Sequence, residues 1–133
     1  MHGKRDVSNL SVLGVGKAAH GSSAATLSCS DPAANARGMP TYDWPIAPLP
    51  ETKYPFAANE HENMEEEARC IEAARQLIRE RRDAGRDVAA IIVAPISGIE
   101  MRNATPTYYK QLRLLAKTEG IPFIVDETRT GFG

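Results

Sequence analysis

The chain has 133 residues, 42% of them apolar, with 16 basic against 17 acidic side chains. One ordinary domain of that length buries roughly two-thirds of its unfolded surface. A near-zero charge balance offers no global field to nucleic acid or an anionic membrane and fits a small or neutral partner better. No run approaches the ~18 apolar residues of a membrane span, and MHGKRDVSNL lacks the apolar core of a secretory signal, so a soluble intracellular chain is expected.

LSVLGVG, residues 10 to 16, reads as a short strand followed by small residues and glycines, with no evident neighbours nearby. Prolines at 40, 45, 48, 50 and 55 then exclude a helix or a central strand. That stretch is expected to run extended over the surface, anchored by Tyr42, Trp44 and Tyr54. Pro45 and Pro48 also form a P-x-x-P pair that would suit an SH3-like groove, although an ordered loop crossing its own protein is the better reading.

From Glu60 to Ala84 the period changes to helical, with Met64, Ala68, Ile71, Ala74 and Ile78 tracing an apolar stripe. Four glutamates crowd its start and three arginines its end, which suits the helix dipole, and Gly85 supplies a stop. Those charges read as a solvated face. VAAIIVAPI, residues 88 to 96, is an unalternated apolar run of the kind covered on both faces in a parallel sheet. A second helix follows, with Thr105 as its cap, Pro106 in the first turn, a stripe of Tyr109, Leu112 and Ala116, and Gly120 at its exit. IPFIVDE closes the series as another buried strand, the parallel neighbour of the one before.

Two units result: an irregular N-terminal segment, residues 1–59, with a short strand and a Pro/aromatic loop, and a helix-strand-helix-strand unit, residues 60–133. The fold class is α/β. Asp126 falls at the carboxyl end of a parallel strand, where open α/β sheets bind ligands. An apolar strand ending in Asp-Glu also describes the magnesium strand of P-loop NTPases, but the required G-x-x-x-x-G-K-[ST] is missing. The other chemistry that wants a strand-end aspartate is pyridoxal phosphate, whose pyridine nitrogen must stay protonated; a carboxylate holds that proton and an amide does not. His2, His20 and His61 lack zinc spacing, and Cys29 and Cys70 stand outside any C-x-x-C, so no metal is expected and both cysteines read as plain thiols.

VDETRTGFG resembles the V-D-E-V-Q-T-G-F-G stretch of class III (omega) aminotransferases. YDWPIAPLPETKYP followed by EEEARC is similar to the 4-aminobutyrate branch of that family. IIVAPI resembles its I-I-V-E-P-I, TPTYYKQLR its T-P-x-F-F-R-x-L-R, and AHGSS its aromatic-His-Gly-Arg-Thr element. The resemblance implies part of the large domain of a fold-type I pyridoxal phosphate enzyme. It also implies transfer of an amino group from an omega-amino acid to 2-oxoglutarate, a homodimer, and a mitochondrial or cytoplasmic home.

By position, the resemblance makes Asp126 the pyridine-nitrogen partner and Glu127 its neighbour in the motif. Thr128 stands where the family packs valine on the ring, and Arg129 where glutamine reaches the ring hydroxyl. His20 and Gly21 match the His-Gly pair that follows the ring-stacking aromatic. Those four residues, Asp126, Arg129, His20 and Gly21, are the expected cofactor contacts.

The departures lie at the chemistry: Ala19 replaces the aromatic, Ser22 the carboxylate-reading arginine, and Ala94 the glutamate before Pro95, while Glu100 is displaced. The family's Schiff-base lysine belongs beyond Gly133, and Lys4, Lys17, Lys53, Lys110 and Lys117 match no such motif and read as solvated. The expectation is therefore no catalytic residue within the chain, weak or absent cofactor binding, and no transamination by the chain alone. A degenerate, non-catalytic copy serving as an interaction module is the rival expectation.

Overall fold

The apolar run near the start becomes β1 (Ser11–Val15), and its partners come from far along the chain. In the computed structural model, which describes residues 9–94 and 104–127, β1 pairs in parallel with β2 (Ile46–Ala47) on one side and β3 (Val88–Val93) on the other. Then β4 (Phe123–Val125) adds to the far side of β3, giving one parallel four-stranded sheet in the order β2-β1-β3-β4. The neighbours that the local sequence does not reveal are thus strands roughly thirty to seventy-five positions downstream, and the sheet draws on both sides of residue 60.

Among the described residues, three α-helices connect these strands: α1 (Ala24–Ser28), α2 (Glu60–Asp83) and α3 (Pro106–Glu119). Each boundary has a local cause. Ser23 and Thr26 form a capping box on α1. Acidic Glu60 and Glu62 open α2 and basic Arg81 and Arg82 close it, complementing its dipole. The side chain of Thr105 accepts the Tyr108 N–H at the start of α3, Pro106 occupies the first turn, and Gly120 ends the helix in the left-handed region at φ 70°. No described helix is long and apolar enough to cross a membrane.

Leu13, Val15, Ile91 and Val93 from the sheet meet Cys70, Ile71, Ala74 and Ile78 from α2 and Tyr108, Leu112, Leu115 and Ala116 from α3. Burial of each large aliphatic side chain among them stabilises the fold by about 1.5–3 kcal/mol. The parallel pairing of β3 with β4 agrees with the sequence reading, and β3 is largely buried on both faces.

Five expectations need correction. The buried stripe of α2 runs through Asn63, Glu67, Cys70, Ile71, Ala74 and Ile78, while Met64 is 61% exposed and Ala68 is exposed. Polar groups take the first inward positions because they have partners there: Asn63 exchanges two hydrogen bonds with the Lys53 backbone, and Glu67 accepts from the Thr105 hydroxyl. The charges of α2 are accordingly not all a solvated face, since Glu67 is buried, Arg82 reaches Glu119 on α3, and Arg81 donates to the Asp43 carbonyl.

On α3 the fully buried aromatic is Tyr108, with Tyr109 half-buried beside it, edge-on at 5.2 Å between ring centroids. The proline-rich loop is anchored by buried Pro45, Ala47 and Pro50, whereas Tyr42 and Tyr54 are mostly exposed. Tyr42 stacks on half-buried Trp44 instead, and the Tyr54–Pro55 bond is cis. Lastly, β4 is an edge strand among the described residues, with Ile124 and Val125 close to half exposed, so its apolar run does not mean burial on both faces here.

Candidate functional site

A parallel sheet brings the carboxyl ends of all its strands to one edge, and the chemistry gathers there. At the end of β4, the Asp126 N–H donates to the Val93 carbonyl at 2.7 Å, one step beyond the last ladder pair, and so fixes the backbone of the aspartate against β3. At the end of β1, Gly16 and Lys17 turn the chain, with Lys17 in the left-handed region at φ 65°.

That turn is held by the segment after α1. The Lys17 N–H donates to Asp31 Oδ2 at 2.7 Å, the Asp31 N–H to the Ala18 carbonyl at 2.7 Å, and the His20 N–H to Ser30 Oγ at 2.9 Å. The close approach depends on Gly14, because a Cβ there would lie 2.1 Å from the Cys29 carbonyl oxygen. Only a residue without a side chain lets residues 29–31 lie this near β1.

The result is a buried histidine aimed across the strand ends. His20 Nδ1 stands 2.8 Å from Asp126 Oδ2, with the His20 side chain 1% exposed and that of Asp126 13%. An ionised carboxylate only accepts, so Nδ1 carries the proton and donates it to Asp126. Nε2 is buried and has no hydrogen-bond partner among the described residues. Nearby, burial pushes the Cys29 thiol upward and the Asp126 charge pushes it the same way, which keeps Cys29 protonated and unsuited to nucleophilic work.

Of the sequence-predicted site residues, His20 and Asp126 meet. Gly21 follows at φ 138°, and a Cβ there would press on Thr26 Oγ1 at 2.9 Å, so its described role is to shape the turn into α1. Arg129 and Thr128 lie outside the described residues, as do Glu100 and Lys4. Ala19 and Ala94 are half-buried and Ser22 is exposed. Lys110 and Lys117 are exposed on α3 and Lys53 pairs with Glu62, whereas Lys17 is half-buried rather than fully solvated. The supports at Gly14, Ser30 and Asp31 have no motif of their own in the sequence; the glycine inside an apolar strand is the one local hint.

The model of the family described as aminotransferase class-III matches residues 2–133. The chain is 44% identical over 96 residues to the mitochondrial 4-aminobutyrate aminotransferase of Homo sapiens, covering 71% of this chain and 19% of that protein. With the 4-aminobutyrate aminotransferase of Dictyostelium discoideum it shares 40% identity over 127 residues, or 94% of this chain and 25% of the relative. Among solved structures, the lysine aminotransferase from M. tuberculosis superposes with a TM-score of 0.79 at 31% identity, over 92% of this chain and 28% of that one. The chain thus spans about a fifth to a quarter of the length of these relatives. Its parallel sheet and covering helices are a slice of the fold-type I large domain. On its sequence and its fold alike, the chain belongs to the class III aminotransferases.

Proposed function

We propose that this chain is the ring-nitrogen side of a pyridoxal phosphate site in a protein that moves an amino group from 4-aminobutyrate, or a close omega-amino acid, to 2-oxoglutarate. The observation that carries the reading is the buried His20–Asp126 pair at the carboxyl edge of the sheet. The donor set fits the cofactor: a strand-end carboxylate suits a protonated pyridine nitrogen, and the buried His20 that bonds Asp126 Oδ2 supports a role in orienting that carboxylate.

Bound pyridoxal phosphate would supply the electron sink for the substrate's C–H cleavage. Asp126 would hold the proton on the ring nitrogen through a charge-assisted bond. His20, donating from Nδ1 to Oδ2, orients the carboxylate. Gly21 gives the turn that follows His20, and Arg129 is proposed at the ring hydroxyl. Ser22 brings no charge to a substrate carboxylate, so that recognition falls to other groups of the protein.

Within the chain no lysine takes the Schiff-base role in this proposal, and turnover by the 133 residues alone is not expected. A homodimer and a mitochondrial or cytoplasmic location belong to the same proposal, and of these only the mitochondrial one has support in the names of relatives. Retention of the Asp126–His20 pair counts against the rival reading as a bare interaction module.

The test is amino transfer from 4-aminobutyrate to 2-oxoglutarate by the polypeptide as its source cells make it. Asp126→Asn should lower the rate by about 10²–10³-fold, the scale of losing one preorganised electrostatic contact at a reacting group. Activity within a few-fold of the unaltered protein would sink the assignment.

A further inference from the structure

The hydroxyl of Tyr109 lies between the two ends that flank residues 95–103. It donates to the carbonyl of Ala94, just past β3, at 3.5 Å, and accepts the N–H of Ala104, just before α3, also at 3.5 Å. The preceding carbonyl on β3, that of Val93, is the one that receives the Asp126 N–H at 2.7 Å. Tyr109 therefore makes two long contacts that bracket residues 95–103, one of them a single residue past the Val93 carbonyl that receives Asp126.

Its own position is well determined. Thr105 caps α3 by accepting the Tyr108 N–H at 3.3 Å and donates to Glu67, which ties the helix start to α2. The ring of Tyr109 packs against the core and meets Tyr108 edge-on. The neighbouring hydroxyl provides the contrast, for Tyr108 Oη is fully buried and has no hydrogen-bond partner among the described residues. Of two adjacent phenols, only that of Tyr109 bridges β3 to the start of α3.

We propose that Tyr109 is a positioning residue for the Asp126–His20 pair, acting through the carboxyl end of β3. Its hydroxyl holds the Ala94 peptide in line with the Val93 carbonyl, and that carbonyl sets the backbone of Asp126 at the distance from which Oδ2 reaches His20. The inference rests on Asp126 carrying the site's charge, but its test reads the pair itself and needs neither cofactor nor turnover, so the two proposals can fail separately.

The experiment compares Tyr109→Phe with Tyr108→Phe in the full chain by amide hydrogen exchange and by the ¹⁵N-resolved Nδ1–H signal of His20. Tyr109→Phe should raise the exchange rates of the Asp126 and Ala104 amides about tenfold relative to that of Ile91, the factor matching one hydrogen bond's net contribution. It should also shift or broaden the His20 Nδ1–H signal. Tyr108→Phe should leave both readouts unchanged. If Tyr109→Phe lowers stability evenly while the Asp126-to-Ile91 ratio and the His20 signal stay put, the hydroxyl is merely structural and the proposal falls. Failure of Tyr109→Phe to fold would overturn it in the same way.

Discussion

Asp126 and His20 are 106 positions apart in sequence and 2.8 Å apart in space, and the physics that joins them is carried mostly by residues with no chemistry of their own. Asp126 is legible from sequence alone, since an apolar run that ends in a carboxylate marks a strand end. His20 is not: a single histidine among small residues carries no local signal, and only its resemblance to a His-Gly element pointed to it. Gly14 illustrates why. Its missing side chain admits the Cys29 carbonyl, which lets Ser30 and Asp31 hold the turn that aims the imidazole. Gly14→Ala places a methyl group against backbone that cannot swing aside, so it should destabilise the fold by about 1–3 kcal/mol and loosen His20. Chemical denaturation together with the His20 ring resonances would check both effects; an unchanged midpoint would mean that residues 29–31 are free to retreat.

Helices are more legible than strands in this sequence, because their signals are local. The Thr105-Pro106 start and the Gly120 stop of α3 can be seen in a dozen consecutive residues, and the charge gradient of α2 in two dozen. What escaped was the direction each helix faces: Asn63 and Glu67 look like surface residues until Lys53 and Thr105 are brought alongside, and Tyr109 looks like the core residue that Tyr108 turns out to be. The same applies to β1, whose parallel partners leave no trace near it, and to β4, whose apolar run is an edge. Thr105 links the two helices, so its loss should cost more than a cap. Thr105→Ala is expected to lower stability by about 1 kcal/mol for the cap and by a further ~1–3 kcal/mol for the buried Glu67 carboxylate that loses its hydroxyl donor. Thr105→Ser should recover most of that in urea unfolding. Equal effects of the two substitutions would show that the methyl group, not the hydroxyl, matters.

For the molecule as a whole, the two buried thiols and the two core phenols share a sign. Burial, aided by the Glu66 charge, pushes the Cys70 thiol up to about 11, and Cys29, Tyr108 and Tyr109 are raised in the same direction. A thiol that ionises near pH 9 when unfolded and near 11 when folded gives stability that is complete below about pH 9 and lost as the pH rises through about 11. Cys70 alone should account for on the order of 2 kcal/mol of that alkaline loss, and Cys70→Ala should flatten the curve between those values. An alkaline limb of unchanged slope would contradict the assignment to Cys70. The sheet brings Asp126 and His20 together at one carboxyl edge, which in the proposed function faces a pyridine nitrogen. Spectroscopic titration of the native polypeptide with pyridoxal phosphate, beside its Asp126→Asn variant, tests that most directly. Binding should be saturable and should weaken about tenfold or more when the carboxylate becomes an amide; equal affinity in the two proteins would rule out a pyridine-nitrogen contact at Asp126.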